Sequence, residues 1–346
     1  MNGTLLSGGE VQNFLGPREM IGRSRSDVRL IHGNLENGDI SLYSTFDFIL
    51  NLLRPGDMII FNDSLTLPSS LDGYIKGDKY FGRIHVGQQI RRGVYLVEVR
   101  PKELNKILPE GETFVHSNSG LEFELTKRHE DFPRYFEARI SRENININNF
   151  LIQFGSPIYY EGYTVPYEKK YYRNVFQDVY GSSEYPSASR PFTNEIITKL
   201  VGRGITIGKL TLHCNLGSLE SDEYSGKGKL LREYYKIPAD LPEKILRTKK
   251  NGGRIIGVGT TVVRALVSSV KNEVMLDLEG ISDIKISADS KIWPLDGIIS
   301  GIHDPESSHL ELLEAFGGKQ ILSPISSLSN EFHLIGHEFG DSMLLL

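Results

Sequence analysis

The stretch GGRIIGVGTTVVRALVSS (252–269) decides the fold class. Arg254 to Val258 reads as a short buried strand, and Val262 onward as a helix with apolar residues at helical spacing. A strand that passes through Gly257, Gly259, Thr260 and Thr261 into a helix is the working unit of an α/β sheet. Glycines at such a junction let a ligand approach the backbone, and the N–H groups and threonine hydroxyls at a helix start favour an anion or a sugar hydroxyl. The same residues also fit a plain threonine-capped turn. A dinucleotide fingerprint fits poorly, because Val262 stands where its third glycine belongs. Asp277 follows at the distance of a ribose-binding acid, but a strand repeat of roughly 20 residues is short for a βαβ unit of about 30. A nicotinamide-dependent oxidoreductase is therefore a distant reading.

Upstream, LRPGDMIIFNDS (53–64) turns at Pro55 and Gly56 and continues as a second buried strand, whose end presents Asn62, Asp63 and Ser64. Between Leu71 and Ile140 the pattern changes. The runs YFGRIHV, GVYLVEVR, ETFVHS, LEFELTKR and YFEARI recur at intervals of roughly 10 residues, separated by Gly, Asn, Pro and charged turns, which predicts a small antiparallel barrel or sandwich. After Asn144, helical stretches such as NEIITKLVGRG alternate with strands such as ITIGKLTLHC. The expected organisation is an α/β domain formed by residues 1–68 and 154–346, interrupted by a β-barrel domain over 69–153.

The 346 residues suggest about two domains at roughly 150 residues each, and 39% apolar content suffices for a core. A net charge of −5 repels a polyanion weakly, so a nucleic-acid partner requires a local basic patch. The single cysteine, Cys214, forms no internal disulfide, which fits a reducing compartment. No Lys or Arg precedes Arg18, and no apolar run approaches the roughly 20 residues of a membrane span. The expected location is the cytoplasm.

Three further segments carry groups suited to chemistry. In KLTLHCNLGS (209–218), Leu210, Leu212 and Cys214 alternate with Thr211 and His213, which puts His213 at a strand's carboxyl end as a candidate acid or base, followed by Asn215, Gly217 and Ser218. In ISGIHDPESSHLELLEAFGG (299–318), His303, Asp304, Glu306, Ser307 and Ser308 crowd a helix start, where capping accounts for the serines but not for His303. Eight tyrosines between Ile158 and Tyr185, interleaved with Lys169, Lys170 and Arg173, suit base stacking and phosphate contact, or simply cover a domain edge. His333 and His337 are spaced i, i+4, but Gly336 lies between them and the H-E-x-x-H order is missing, so no metal site is expected. Serine-hydrolase, nucleoside-triphosphatase and paired-cysteine signatures are also absent from the sequence.

Taken in order, RxxxRLI at Arg25 and Arg29, LRPGDMIIFNDS, FQDVYG (176–181), YPSASRPFT (185–193), TLH (211–213), REY (232–234), GRIIGVGTTVVRAL, IHDPESS, AFGG and GDSMLL span almost the whole chain. Together they resemble the S-adenosylmethionine:tRNA ribosyltransferase-isomerase family of queuosine biosynthesis. The resemblance implies a large α/β barrel-like domain with an inserted small antiparallel β-barrel. It also implies transfer of the S-adenosylmethionine ribosyl moiety to an aminomethyl-deazaguanine in tRNA. The sugar rearranges to an epoxycyclopentanediol, and adenine and methionine leave. S-adenosylmethionine is then a substrate, its sulfonium supplies the leaving group, and neither a metal nor a redox cofactor is required.

On that resemblance the expected catalytic groups are His213, Glu233, His303 and Asp341, with His213 moving a proton and Glu233 and Asp341 contacting hydroxyls or an amine. Arg254, Gly257, Gly259, Thr260, Thr261 and Arg264 are expected around S-adenosylmethionine, Arg254 facing its carboxylate or a neighbouring anion. Asn62, Asp63, Tyr185, Ser187 and Arg190 are expected to contact the acceptor. Four positions depart from the family pattern: Leu65 replaces an arginine, Pro191 and Leu231 replace histidines, and Gly301 replaces an asparagine. Such losses leave two alternatives open, a relative with a non-tRNA acceptor or an elimination or cyclisation, and a catalytically inactive nucleoside-binding protein.

Overall fold

The computed structural model describes residues 15–77, 80–159, 167–217, 230–303, 308–336 and 338–346. In chain order its strands are β1 (Leu30–Gly33), β2 (Ile40–Tyr43), β3 (Met58–Asn62) and β4 (Ser64–Thr66), then β5 (Ser70–Ile75), β6 (Phe81–Arg91), β7 (Val94–Arg100), β8 (Thr113–His116), β9 (Glu122–Arg128) and β10 (Tyr135–Ile140). They continue with β11 (Val179–Ser182), β12 (Thr206–Leu212), β13 (Glu233–Lys236), β14 (Ile255–Val258), β15 (Val270–Lys271), β16 (Val274–Met275), β17 (Glu279–Ser282), β18 (Gly297–Gly301) and β19 (Ser342–Leu345).

Nine strands form one mixed sheet in the order β17-β13-β12-β3-β14-β18-β19-β1-β2. Its centre, β12-β3-β14-β18, is parallel throughout. Parallel central strands are covered on both faces, and β3 (MIIFN) and β14 (IIGV) are accordingly continuous buried runs. Met58, Ile60, Leu210, Leu212, Ile255 and Ile298 enter one core with Val262, Val263 and Leu266 of the helix Thr260–Ser269. Ile59, Phe61, Ile256, Val258 and Ile299 enter the other with Ile196 and Leu200 of the helix Asn194–Gly202. The alternation of a pleated strand thus builds two cores from one sheet.

The second unit is a closed antiparallel barrel, β10-β7-β6-β5-β8-β9, filled by Leu71, Ile84, Val97, Phe114, Phe123 and Phe136 among others. It matches the β-rich runs and their turn spacing. Strand β6 slips register against β7 between Val86 and Gln89. That irregularity carries Gly87 and Gln88 against the large sheet: a Cβ on Gly87 would lie 2.6 Å from Asn215 Oδ1, Gln88 N–H donates to Asn215 Oδ1 at 3.1 Å, and Gln88 Nε2 donates to the His213 carbonyl. A bulge of this kind re-aims side chains, here toward the segment that follows β12.

The amino ends of the parallel strands are fastened by Asp57, which is fully buried. Its carboxylate accepts from the backbone N–H groups of Arg54 and Arg254 and from Arg254 Nη2 at 2.6 Å. The guanidinium and backbone donors hold the carboxyl below its ordinary range against the desolvation that opposes them. Asp57→Ala strands a guanidinium and two N–H groups, so a loss of about 3 kcal/mol of stability is expected. The denaturant midpoint of the variant checks it; a shift below 1 kcal/mol would discard this account of the sheet's amino edge.

Candidate functional site

Strands β3, β12, β14 and β18 point their carboxyl ends the same way, and the chemistry-bearing residues gather there, as in other open α/β sheets. Asn62, the last residue of β3, sits at the centre. Its Oδ1 accepts from Leu212 N at 3.0 Å and Ser64 N at 3.0 Å, while Nδ2 donates to the Leu212 carbonyl at 2.8 Å and to Thr261 Oγ1 at 3.2 Å. The carboxamide is 3% exposed and its hydrogen-bonding capacity is filled. Asn62, expected to contact the acceptor, is here engaged by internal bonds that hold the site together. Asp63 beside it is half-buried, accepts from Thr211 Oγ1 at 2.6 Å, and has its carboxyl pushed up by desolvation.

His213 follows β12, on the face opposite Leu212 and Cys214 as the alternation requires. Its Nδ1 lies 2.7 Å from Ser64 Oγ, which lies 2.6 Å from Ser182 Oγ, and Ser182 Oγ accepts from Cys214 N at 2.9 Å. The ring stacks on Tyr234 at 5.6 Å between centroids, and its other side leaves no room for a side chain at Gly181, where a Cβ would lie 2.5 Å away. Desolvation lowers its pKa to about 4, so the imidazole is neutral at physiological pH. A neutral imidazole oriented through Nδ1 presents Nε2 for proton transfer or hydrogen bonding.

The helix Thr260–Ser269 starts at Asn62, whose Nδ2 meets Thr261 Oγ1. Gly259 has φ +90°, which favours glycine, and a Cβ there would crowd Ala188 at 3.2 Å. The first N–H groups of the helix have no partners within it and so offer donors at this edge. Gly257, by contrast, is a packing glycine, tight against Leu295 and Val262. Arg264, one helical turn on, pairs through Nη1 with Glu233 Oε2, and Glu233 Oε1 accepts from Asn215 N at 2.9 Å. Both members of that pair, expected as direct contacts, thus hold the segment after β12.

Beyond β18, His303 Nε2 lies 2.9 Å from Ser300 Oγ, and Nδ1 lies 3.3 Å from His309 Nδ1. Its pKa falls well below the usual value, through desolvation first and His309 second. A narrow cleft next to β18 is lined by Ser187, Ala188, Arg190, Pro191, Gly301 and Glu338. Glu338 makes no hydrogen bond or ion pair there, and desolvation, then Glu184, push its carboxyl up to about 8.

Four more of the expected site residues are held by internal contacts. Arg254 precedes β14, at the amino edge, and is locked to Asp57 and the Leu52 carbonyl, so it lies across the sheet from the site. Asp341 accepts four bonds, from Arg29 N, Nε and Nη2 and from Ile335 N, and is buried; it clasps the chain at the wall of the same cleft. Tyr185 is buried against Tyr172 and Phe339, with its hydroxyl donating to Asn174. Arg190 is buried, paired with Glu19 at 2.7 Å and placed over the Phe339 ring. Only Ser187 of the three residues expected in that segment lines the cleft without an ion pair or ring packing. Asp304, Glu306, Ser307, Ser218, His337, Tyr160 and Tyr163 lie outside the described residues. Sequence reasoning missed Ser182 and Glu338, since neither stands in a pattern that announces a role; the DS of LRPGDMIIFNDS was the one sign of Ser64.

A mixed α/β scaffold with an inserted antiparallel barrel, and polar groups collected at the carboxyl ends of its parallel strands, defines the class. The chain matches the model of the family described as "Queuosine biosynthesis protein" over residues 17–345 and belongs to that family. It is 29% identical over 338 residues to a Halothermothrix orenii protein named S-adenosylmethionine:tRNA ribosyltransferase-isomerase, covering 95% of this chain and 97% of that one. A protein of the same name from Sulfurihydrogenibium sp. is 29% identical over 342 residues, again covering 95% and 97%. A crystal structure titled S-adenosylmethionine tRNA ribosyltransferase, from Thermotoga maritima, superposes with a TM-score of 0.50 at 22% identity, covering 97% of this chain and all of that one, and shows the shared fold.

Lowering a histidine's pKa makes folding oppose its protonation. Between pH 6.5 and about 4 the unfolded chain binds the proton that native His213 refuses, so this group's contribution to stability falls as the pH falls through that window. His213→Gln should lose that portion of the acid sensitivity, seen as a stability difference from the parent that narrows from pH 7 to pH 4. A constant difference across the window would contradict the neutral imidazole.

Proposed function

We propose that this chain is an S-adenosylmethionine-dependent ribosyltransferase-isomerase acting on a deazaguanine in tRNA, with release of adenine and methionine. The observation that carries the reading is the presence, at one sheet edge, of a neutral, half-buried imidazole and the N-terminus of the helix Thr260–Ser269. Family membership and the names of the relatives support the substrates.

In this reading Gly259, Thr260 and Thr261 approach the ribosyl and adenine portion of S-adenosylmethionine, and His213 moves a proton at the sugar. His303 lies on the neighbouring strand end and contacts the adenosyl group or the departing base. Asp63 and Ser187 remain to contact the acceptor. Asn62, Glu233, Arg264 and Asp341 position these groups through their internal bonds. The sulfonium of S-adenosylmethionine supplies the leaving-group chemistry when bound; the protein supplies orientation, a proton acceptor and donors for developing charge. We further propose that the β-barrel forms a domain over 69–153, the α/β domain comprises 1–68 and 154–346, and the protein works in the cytoplasm. No helix among the described residues is long and apolar enough to cross a membrane.

The test is incubation with S-adenosylmethionine, with and without tRNA bearing the aminomethyl-deazaguanine, followed by mass-resolved detection of adenine, methionine and modified tRNA. Release of both products only with the tRNA is expected, and His213→Gln should lower the turnover number by about 10² to 10⁴. No release, or release indifferent to the tRNA, would overturn the reading. Unimpaired turnover in the variant would remove His213 from the reaction.

A further inference from the structure

A second recess lies beside the short parallel pair formed by β4 and β11. Pro68, Ile152 and Pro157 form one wall, and Lys169, Tyr172, Arg173 and Tyr180 the other, with Thr66 and Leu67 between them. The slot holds about 370 Å³ of empty space, part of it open to solvent. Among the described residues its walls contain no acidic side chain. Lys169 Nζ donates to the Ile152 carbonyl at 3.0 Å and Arg173 Nη2 to the Tyr180 hydroxyl at 3.3 Å, and among the described residues neither cation is paired with a carboxylate. Tyr180 is 38% exposed despite its large apolar ring. The Thr66 hydroxyl is buried and has no hydrogen-bond partner.

These features describe a ligand with a flat face, a negative charge and a polar edge. Two cations without counter-ions in a chain of net charge −5 mark a place where an anion offsets a local excess, and an exposed tyrosine beside them offers a stacking surface. The position is also informative. Tyr180 precedes Gly181, against which the His213 ring packs, and Thr66 lies two residues beyond Ser64, whose hydroxyl meets that ring. A chain whose reacting base reached His213 would carry its neighbouring nucleotide past this slot.

We propose that the slot is a subsite for a single-stranded RNA nucleotide flanking the reacting base. The base stacks on Tyr180, Lys169 and Arg173 meet its phosphate, and the Thr66 hydroxyl gains a partner. The inference rests on tRNA being the acceptor, as proposed above, but its test reads binding and not turnover.

Fluorescence anisotropy with unmodified full-length tRNA, titrated from 50 to 200 mM salt, measures affinity and the counter-ion dependence together. Each cation at a single-stranded phosphate contributes about 0.7 to the log–log salt slope, so Lys169→Ala with Arg173→Ala should flatten it by about 1.4 and weaken binding roughly tenfold at 100 mM salt. Tyr180→Ala should weaken binding about tenfold with the slope kept, and Tyr180→Phe should restore it, because the stacking face and not the hydroxyl is required. S-adenosylmethionine binding, measured by calorimetry in the same variants, should stay as in the parent and shows that they are folded. An unchanged slope and affinity in the double variant would overturn the proposal, as would a parent protein that does not bind tRNA. A parent that binds tRNA through these residues yet releases no adenine would leave the slot standing and overturn the reaction instead.

Discussion

One carboxamide organises the proposed reaction centre. Asn62 closes β3, ties itself to both backbone groups of Leu212, fixes Ser64 through its N–H, and reaches Thr261 at the start of the helix Thr260–Ser269. His213 follows Leu212, and the hydroxyl that orients its ring belongs to Ser64. The three elements that bear the proposed chemistry are thus registered against each other by one buried side chain. Leaving even one of those backbone groups unpaired costs about 1–3 kcal/mol, so the arrangement resists relaxation as a unit.

The barrel contributes to the same registration. Gln88 reaches the His213 carbonyl and Asn215 from the register slip in β6, and Tyr135 of β10 donates its hydroxyl to the Leu216 carbonyl. On the other side, Glu233 accepts from Asn215 N and is held in turn by Arg264. The irregular segment after β12 is therefore gripped from the barrel, from β13 and from the helix. Irregular backbone keeps a defined course when its polar groups are satisfied, and here nearly every satisfying group comes from a different element. This gives the inserted domain a mechanical reason to sit where it does, independent of any contact it makes with a nucleic acid.

Much of this was legible in the chain. Alternation in KLTLHC put His213 opposite the core residues of β12, the spacing of the runs between Leu71 and Ile140 announced an antiparallel barrel, and GVGTT marked a strand-to-helix junction. What could not be read was direction and partnership. Arg254 and Gly259 stand five positions apart, yet β14 separates them by roughly 17 Å at about 3.3 Å per residue, so one faces the site and the other the opposite edge. Asp341 looks like a free acid until Arg29, 312 residues away, is brought onto it. Arg264 and Glu233 look like two ligand contacts until the fold pairs them. The four departures from the family pattern fall differently: Pro191 and Gly301 line the cleft that also holds Glu338, Leu65 is buried within β4, and Leu231 packs, partly buried, against the cluster of Leu96, Tyr135, Ile158 and Leu216.

The central claim is that the carboxyl edge around Asn62, and not the amino edge around Arg254, receives S-adenosylmethionine. A crystal structure of the protein soaked with S-adenosylmethionine tests this most directly. The account predicts its ribosyl group against Gly259 to Thr261 with His213 in contact. Density for the ligand's carboxylate on Arg254, with Asp57 displaced, would contradict it.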